Sequence, residues 1–418
     1  MNEFGYVLSS ITPVSDSEVR AISKFTYDGK EFWACGDRNN YLHIFKKSES
    51  ENDFECINSF CAHSGWISSI TEIEPCEWFS EGALITGGHD NKVKAWNLET
   101  ITTHTTTLIQ PICTLSHDSQ VCYVTTTPNH FIISCDWGST CHVWSSPYTC
   151  ITLEHEKYAI WSATAVPGGY VTLGADKTIR VWDLNGRCLN RIENAHSDVP
   201  RACLYIPSRN ILVTAANDGT IKEWLVNDTS LKIDSTINVT DKFLYSLTLL
   251  DDNSYLTTSE DRCAYIVSSE IKKVIEAIPL PDSVWSATVL SNSDIVIACS
   301  DGFVRTFTTS QERRCNSEME QAYITQLSNL TLTNPEFAHI NILDLPDISD
   351  IIDEPPIPGQ AILCRDEDKM VICTWSNGYN CYLKIGTAIK QEGSTSNKVF
   401  DDNGKEWDYC YNVQLENG

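Results

Sequence analysis

Residues 211–224 read Ile211-Leu-Val-Thr-Ala-Ala-Asn-Asp-Gly-Thr-Ile-Lys-Glu-Trp224: an apolar strand, a tight turn and a second strand that ends in tryptophan. Asp218-Gly219 is a turn dipeptide, and the apolar runs on both sides of it are typical of a β-hairpin. The same pattern recurs along the chain, and its second strand closes at an aromatic or apolar residue. The closing residues are Phe45, Trp96, Trp144, Trp182, Trp224, Val267 and Phe307.

The spacing of the closing residues sets the size of the repeat. Neighbouring closing residues lie between 38 positions (144 to 182) and 51 positions (45 to 96) apart. Four-stranded propeller blades repeat every ~40–45 residues. Seven repeats therefore predict an all-β, seven-bladed β-propeller over residues 1–310. Residues Tyr6-Val7-Leu8 precede the first blade, and we expect them to pair with the seventh blade so that no sheet edge stays bare.

Four histidines recur in step with the blades. His63, His117, His155 and His196 precede their closing tryptophans by between 27 positions (117 to 144) and 33 positions (63 to 96). In WD-repeat proteins such a histidine bonds a Ser or Thr, which is linked to the turn Asp and then to the indole. This pattern predicts three buried polar networks, which would make these histidines structural rather than catalytic. The networks are His63–Thr86–Asp90–Trp96, His155–Thr172–Asp176–Trp182 and His196–Thr214–Asp218–Trp224.

The remaining blades depart from this pattern. The third blade has His117, Ser134 and Trp144, but Gly138 stands where the Asp is expected. Blades one, six and seven lack the network altogether. The resemblance to WD repeats is therefore complete in three of the seven blades.

One position near the start of each innermost strand is expected to face the mouth of the central channel. Five of these seven residues are Arg, Trp or Tyr, the types enriched at binding hot spots. Because equivalent positions lie in a ring, we predict one contact patch, with His89, Asn217 and Glu260 at neighbouring turns. The alternative is that each aromatic side chain packs inward on its own blade. The seven residues are Arg20, Ser68, Cys122, Trp161, Arg201, Tyr245 and Trp285.

The composition changes after Ser310. Residues 311–356 are predicted to form a linker that could hold a helix within 311–332 and is acidic and Pro-bearing from 341. Residues 357–418 are expected to be the N-terminal part of a small domain, because the chain stops at a hairpin dipeptide, Asn417-Gly418, with nothing to pair against. Its strand-like runs are Ala361–Cys364, Met370–Trp375, Cys381–Ile385 and Glu406–Val413.

Bulk properties restrict the function. A formal net charge of −26 disfavours nucleic acids and anionic membranes, because both carry negative charge. The N-terminus lacks a secretory signal and no apolar run approaches ~20 residues, so we expect an intracellular chain without membrane insertion. The 18 cysteines form no Cys-x-x-Cys pair, which favours reduced core thiols over disulfides or zinc.

The sequence contains no motif typical of an enzyme active site or a metal site. His155-Glu156 begins like a zinc motif, but Ala159 stands where the second histidine belongs. There is no nucleophile elbow, dinucleotide loop or P-loop. The sequence therefore predicts a protein that is not an enzyme, with no catalytic residues, no metal and no cofactor.

Several segments resemble one family in particular. Within the propeller these are Ala159-Ile-Trp-Ser-Ala163, His196-Ser-Asp-Val-Pro-Arg201, Asn217-Asp-Gly-Thr-Ile-Lys222 and Ser283-Val-Trp-Ser-Ala-Thr288. They are similar to the propeller of the phospholipase A-2-activating protein family, the ubiquitin-binding cofactors of a valosin-containing AAA+ unfoldase. In the tail, Gly359-Gln360, Trp375, Lys384-Ile385-Gly386 and Gly404-Lys-Glu-Trp-Asp-Tyr409 resemble the opening of that family's ubiquitin-binding domain, called PFU.

The resemblance implies a ubiquitin-binding adaptor in ubiquitin turnover and ubiquitin-dependent degradation. It implies two contact surfaces, the propeller mouth and the PFU-like sheet, where Trp375, Trp407 and Tyr409 are candidate residues. It also implies that the unfoldase is engaged only through a helical-repeat domain absent from this sequence, and that the protein is cytoplasmic or also nuclear. The alternatives are a general WD-repeat scaffold that does not bind ubiquitin and an enzyme or enzyme activator.

Overall fold

The computed structural model describes residues 5–48, 53–103, 108–227, 230–333, 340, 342–351, 360–389, 399–400 and 406–407. Seven antiparallel sheets of four strands precede residue 309. The innermost strand of each sheet contacts the innermost strands of the two neighbouring sheets, and the last of these contacts the first. The sheets therefore stand in a closed ring, and the prediction of an all-β propeller is confirmed.

Blades one to six follow the chain in order, from the innermost strand to the outermost. Blade one is β2 (Val19–Tyr27), β3 (Lys30–Asp37), β4 (Tyr41–Lys47) and β5 (Phe54–Cys61). Blade two is β6 (Ile67–Ile73), β7 (Ala83–Gly88), β8 (Lys92–Trp96) and β9 (Cys113–Ser116), with a short helix, α1 (Leu98–Thr102), before its last strand. Blade three is β10 (Val121–Thr126), β11 (Ile132–Asp136), β12 (Thr140–Ser146) and β13 (Thr149–Glu154).

The second half of the ring repeats this order. Blade four is β14 (Ile160–Val166), β15 (Gly169–Gly174), β16 (Ile179–Asp183) and β17 (Cys188–Ile192). Blade five is β18 (Pro200–Ile206), β19 (Ile211–Ala216), β20 (Thr220–Asn227) and β21 (Ser230–Asn238). Blade six is β22 (Leu244–Asp251), β23 (Ser254–Ser259), β24 (Cys263–Ser268) and β25 (Lys273–Pro279). Blade seven takes three consecutive strands, β26 (Val284–Val289), β27 (Ile295–Cys299) and β28 (Phe303–Thr308).

The N-terminal strand closes the ring. β1 (Val7–Pro13) pairs antiparallel with β28, with Val7 opposite Thr308, and is the outermost strand of blade seven. The predicted pairing of Tyr6-Val7-Leu8 with the seventh blade is thus observed. Leu8 is fully buried in a cluster with Phe307 and Ile297 of the same blade. The first and last propeller strands are therefore held by both a hydrogen-bond ladder and a shared core.

The apolar core lies between blades. The second strands β7, β15 and β19 are buried along their whole length, because each is covered by a neighbouring sheet on both faces. Packing between blades is close: a Cβ added to Gly36 of blade one would stand 2.4 Å from Ile67 of blade two. The inner strands are consequently held in fixed positions around the channel.

The segment that follows the propeller packs back onto it. Helix α2 (Ser317–Ser328) begins at the cap Asn316, whose side chain accepts a bond from the Met319 amide at 2.8 Å. The helix buries Tyr323 and Leu327 in the core of blades six and seven. A helix thus lies within residues 311–332, where the sequence allowed for one. Neither helix of the described chain is long and apolar enough to cross a bilayer.

An eighth four-stranded sheet lies beyond α2. Its order is β29 (Thr331–Thr333), β32 (Cys381–Ile389), β31 (Lys369–Ser376) and β30 (Ala361–Asp366), and β29 runs parallel to β32. Part of the predicted linker thus provides the edge strand of this sheet, and Ile351 packs against its face. Two short strands follow, β33 (Val399–Phe400) and β34 (Glu406–Trp407). The predicted strand Glu406–Val413 is described only as far as Trp407.

We expect the Leu8→Ala variant to lower the free energy of unfolding by about 2–5 kcal/mol, because it leaves a cavity in the core that joins β1 to blade seven. Denaturant unfolding of the full chain measures this loss. Leu108→Ala is the matched control, since Leu108 is 84% exposed. Equal stability of the two variants would contradict the account of ring closure.

Candidate functional site: the mouth of the propeller

Each innermost strand carries a one-residue bulge near its first residue. In blade four, Ile160 pairs with Gly174 and Ser162 with Leu173, so Trp161 is inserted between the two pairs. A bulge bends the strand and re-aims the inserted side chain. The register shifts at the same place in all seven blades. The inserted residues are the seven predicted from sequence: Arg20, Ser68, Cys122, Trp161, Arg201, Tyr245 and Trp285.

All seven bulged residues line one cavity of about 500 Å³ in the central channel. Below them the channel wall carries small polar side chains such as Ser69, Thr125 and Thr288. The structure therefore brings the predicted residues together, although they are spread over more than 260 positions of the chain (20 to 285).

Four contacts join five side chains along one side of the mouth. The Arg201 guanidinium carbon lies 3.7 Å from the ring centre of Trp161 and 5.6 Å from that of Tyr245. Tyr245 stacks on Trp285 with 4.4 Å between ring centres. Arg20 lies 3.6 Å from the centre of the Trp285 ring. These distances are those of cation–π and stacking contacts.

Four further contacts complete the circle. Arg20 lies 5.1 Å from the Trp66 ring, and Trp66 stacks on His89 at 4.5 Å. His89 meets Trp137 edge-on at 4.7 Å, and Trp137 meets Trp161 edge-on at 5.9 Å. Eight side chains thus form an unbroken circuit of π contacts, which we call the mouth ring. Its members are Arg20, Trp66, His89, Trp137, Trp161, Arg201, Tyr245 and Trp285.

Ser68 and Cys122 are not part of the mouth ring. The Ser68 hydroxyl lies 2.6 Å from the carbonyl oxygen of Val121, to which it donates, and the Cys122 thiol donates to the carbonyl oxygen of Ile160 at 3.0 Å. Each of these bonds crosses to the next blade. The two small residues therefore tie blades two, three and four together instead of presenting a contact surface.

Sequence reasoning missed Trp66 and Trp137 and gave His89 only as a neighbour. Both positions recur in the repeat. Trp66 lies two residues before the bulged Ser68, and its carbonyl oxygen accepts the His89 amide at 2.9 Å. Trp137 occupies the hairpin position equivalent to His89, and its amide bonds the Gln120 carbonyl at 3.0 Å. Comparing these two positions across the blades would have identified both tryptophans.

The charged groups of the mouth are arranged around Glu18. Its carboxylate lies 2.5 Å from Arg20 and 3.0 Å from Arg38. Burial lowers the pKa of Arg20, and the contact with Glu18 opposes that shift. Burial, followed by the nearby Glu260, raises the pKa of Tyr245 to about 12, so its hydroxyl is a neutral hydrogen-bonding group at pH 7. Asn217 and Glu260 lie at the same hairpin position as His89, outside the mouth ring.

A buried network holds the hairpin that carries His89. The Trp96 indole donates to the Thr86 hydroxyl at 2.9 Å, and Thr86 lies 2.8 Å from Nε2 of His63. Nδ1 of His63 lies 2.8 Å from Asp90, which also accepts the Ser64 amide at 3.0 Å. The histidine therefore stands between the hydroxyl and the carboxylate, so the predicted order of the links is wrong. Blade five repeats this network with Trp224, Thr214, His196 and Asp218.

The third blade has the same network through a different carboxylate. His117 bonds Ser134 at 2.7 Å and Asp136 at 3.0 Å, and the Trp144 indole donates to Ser134 at 2.8 Å. Gly138 does occupy the expected turn position, but Asp136, two residues earlier, reaches into its place and also accepts the Gly138 amide. The prediction that this blade lacks the carboxylate is corrected. Because Trp137 follows Asp136, the network also fixes a member of the mouth ring.

The fourth blade, predicted to be complete, is not. Thr172 lies 2.8 Å from both His155 and Trp182, but Nδ1 of His155 is 4.0 Å from Asp176. Arg180 binds this carboxylate instead, at 3.1 Å. Blades one, six and seven hold their turn carboxylates with other partners, in the pairs Asp37–His43, Asp261–Tyr265 and Asp301–Arg305.

The candidates in the C-terminal sheet are only partly described. Trp375 lies in β31, its indole donates to Asn377 at 2.9 Å, and its ring meets Tyr382 edge-on at 5.1 Å. The side chain of Trp407 and all of Tyr409 lie outside the described residues. No group of three His, Cys, Asp or Glu side chains placed to hold a metal ion is found in the described chain.

Family comparisons match both parts of the chain. The profile of the PFU domain, described as PLAA family ubiquitin binding, matches residues 357–418. The WD40 repeat profile matches residues 54–97 and 186–224. Among solved structures, the WD40 β-propeller domain of Doa1 is similar, with a TM-score of 0.63 and 26% identity, covering 74% of this chain and 99% of that one.

Three curated relatives agree with these matches. The ubiquitin homeostasis protein lub1 of Schizosaccharomyces pombe is 27% identical over 85% of this chain and 48% of its own length. The phospholipase A-2-activating protein of Xenopus laevis is 36% identical over 34% of this chain and 18% of its own length. The ubiquitin fusion degradation protein 3 homolog of Caenorhabditis elegans is 30% identical over 72% of this chain and 38% of its own length. The chain thus spans about half or less of the length of these relatives.

We expect Asp90→Asn to destabilise the propeller by about 1–3 kcal/mol at pH 7, because it weakens the buried network under His89. Contacts with His63 and Ser64 hold the pKa of Asp90 at about 2, against 3.8 for a free side chain. This stabilisation is therefore present above pH about 4 and is lost as the pH falls toward about 2. Denaturant unfolding at several pH values measures both effects.

The control is Asp252→Asn, in an exposed turn of blade six. It should leave the stability at pH 7 and its acid dependence unchanged. A difference between wild type and Asp90→Asn that stays constant from pH 7 to pH 2 would contradict the assigned role of the carboxylate.

Proposed function

This chain belongs to the phospholipase A-2-activating protein family, and we propose that it is a ubiquitin-binding adaptor whose main contact surface is the mouth ring. The observation that carries the proposal is the closed circuit of four tryptophans, one tyrosine, one histidine and two arginines around one opening. Support for ubiquitin as the partner comes from the PFU match and from relatives named for ubiquitin homeostasis and ubiquitin fusion degradation.

The chemistry of the mouth ring suits a folded protein partner. Its rings offer wide apolar faces, while the Tyr245 hydroxyl and the arginines supply polar groups at the same place. Trp137 is 41% exposed, so its contact area is already available. The seven bulges fix the inner strands and the networks fix the hairpins, which lowers the conformational entropy lost on binding.

The charges of the mouth indicate which kind of partner surface would be complementary. The net charge of −26 favours a partner that presents basic groups. In the mouth itself, Arg20 and Arg201 are members of the ring, and Glu18 and Glu260 lie around it. A partner with an apolar centre and charges of both signs at its edge would complement this arrangement.

The role we propose is binding rather than catalysis. In blade two, both ring nitrogens of His63 are engaged by Thr86 and Asp90, and burial lowers the pKa of His63. A histidine held in this way keeps a turn in place and has no nitrogen free to move a substrate proton. The WD40 and PFU families are typically non-enzymatic, which favours the same role.

The wider role follows from the relatives and is part of the proposal. We propose that the chain acts in ubiquitin turnover and ubiquitin-dependent degradation, in the cytoplasm or also the nucleus. The PFU-like segment would offer a second ubiquitin contact, for which Trp375, Trp407 and Tyr409 are the candidates. Contact with an AAA+ unfoldase would require a helical-repeat domain outside this sequence.

We expect Trp285→Ala to weaken ubiquitin binding about tenfold or more, because Trp285 contacts both Tyr245 and Arg20 and its loss opens the mouth ring. Fluorescence anisotropy with labelled ubiquitin and the full chain measures the affinity. Tyr148→Ala removes an aromatic residue that is 95% exposed on an outer turn and should bind like wild type. Wild-type affinity of Trp285→Ala would exclude the mouth as the main contact surface.

A further inference from the structure

We propose that the guanidinium of Arg201 receives a carboxylate of the partner protein at the mouth of the propeller. The inference rests on the proposed function for the identity of the partner. The carboxylate itself is inferred from the surroundings of Arg201, where its guanidinium contacts aromatic rings and no anion of the described residues.

Several buried and half-buried arginines in this chain pair with carboxylates. Arg305 pairs with Asp301 at 2.7 Å, and Arg313 pairs with Asp294 at 2.9 Å. In the mouth, Arg20 has Glu18 at 2.5 Å. With 56 Asp and Glu against 30 Lys and Arg, carboxylates are abundant. An arginine that is partly desolvated and lacks one therefore needs a physical reason.

Arg201 has no such partner in the part of the chain that the structure describes. There, Arg209 and Arg262 are also half-buried without an ion pair, but Arg209 donates to the Ser269 carbonyl oxygen at 3.3 Å and Arg262 lies in the turn between β23 and β24. Among the described residues Arg201 has neither an ion pair nor a hydrogen bond, and its contacts are the faces of Trp161 and Tyr245. Burial lowers the pKa of Arg201. The structure thus holds a positive charge in a partly desolvated place without a compensating anion, which is costly unless a ligand supplies one.

The stacking leaves the bonding edge of the guanidinium free. Aromatic rings contact a guanidinium through its flat face, whereas its five N–H donors point outward in the plane. The centre of the Trp161 ring lies 3.7 Å from the guanidinium carbon of Arg201, so the ring covers one side of the group. The fork of donors matches the two oxygens of a carboxylate, and this bidentate bond is stronger in a partly desolvated site.

The neighbours of Arg201 favour a carboxylate borne on a protein over a free anion. The aromatic rings on both sides would cover the carbon chain that carries the acid group. Two sources share this chemistry, an Asp or Glu side chain and the carboxylate at a chain terminus. They differ in whether the C-terminus of the partner must be free.

The test begins with the full chain and two substitutions at one site. Arg201→Met removes the charge, and Arg201→Lys keeps the charge but loses the planar fork. We expect both to weaken binding of labelled ubiquitin about tenfold or more. Arg187→Met is the matched control: Arg187 is an exposed arginine in the turn before β17, and its loss should not change the affinity. Wild-type affinity of Arg201→Met would overturn the proposal.

A second arm identifies the acid group. Ubiquitin variants with each Asp or Glu changed singly to the amide, and ubiquitin with an amidated C-terminus, are titrated against wild type and against Arg201→Met. We expect one ubiquitin variant to bind the wild-type chain about tenfold more weakly than unmodified ubiquitin does. The same variant should bind Arg201→Met no more weakly than unmodified ubiquitin does, which would show that the two groups are coupled. Loss by the amidated protein assigns the terminus, and loss by a side-chain variant assigns that residue. If every ubiquitin variant loses the same affinity for the wild-type chain as for Arg201→Met, the proposed carboxylate contact is contradicted.

A third arm separates this inference from the proposed function. Glutarate is titrated into the full chain while the indole N–H signal of Trp161 is followed by NMR. We expect a saturable shift that is lost in Arg201→Met and kept in Arg187→Met, whether or not ubiquitin binds. The wild-type chain could bind ubiquitin while glutarate shifts no signal and the substitutions at Arg201 leave the affinity unchanged. That result would support the proposed function and contradict the carboxylate site.

Discussion

The pairing of β1 with β28 is the constraint on which the rest of the structure depends. This single ladder joins the N-terminus to the last propeller strand and completes blade seven. Only a closed ring places the seven inner strands around one axis, each with its bulge at the same height. Residues as distant as Arg20 and Trp285 come within 3.6 Å because the ring is closed. The mouth ring is thus a consequence of topology as much as of sequence.

The mouth ring also shows how unequal repeats can give a continuous surface. Blades one, four, five, six and seven present large bulged residues, whereas blades two and three present Ser68 and Cys122. At these two blades the circuit passes instead through Trp66, His89 and Trp137. The buried networks of the same two blades hold the hairpins that carry His89 and Trp137. The polar core of blades two and three therefore supports the part of the surface that their inner strands do not provide.

Much of the fold could be predicted from the sequence, because each repeat contains its own signals. The turn dipeptides, the closing aromatic residues and the histidine spacing all depend on contacts within one blade. The seven bulged positions could be aligned for the same reason. Local sequence patterns could not predict which side chains of different strands and turns contact one another. Asp136 bonds His117 in place of the carboxylate missing at Gly138. In blade four, Asp176 binds Arg180 instead of His155. Both contacts depend on how far the side chains reach and not on the spacing of the residues along the chain.

The C-terminal region shows the limit of composition as a guide. The polar stretch 311–356 has the character of a linker, yet it contains α2 and β29. Its helix is amphipathic only through a few residues, and two of them, Tyr323 and Leu327, complete the core of blades six and seven. A segment that buries so few side chains carries a weak periodic signal. Its partner surface exists only once the propeller has folded.

The central claim is that ubiquitin contacts the mouth ring, and the indole N–H signals of the tryptophans test it most directly. NMR titration of the full chain with ubiquitin should shift the signals of Trp66, Trp137, Trp161 and Trp285. The buried indoles of Trp96, Trp182 and Trp224 should remain unshifted as internal references. Saturable binding that leaves all four mouth signals in place would contradict the account.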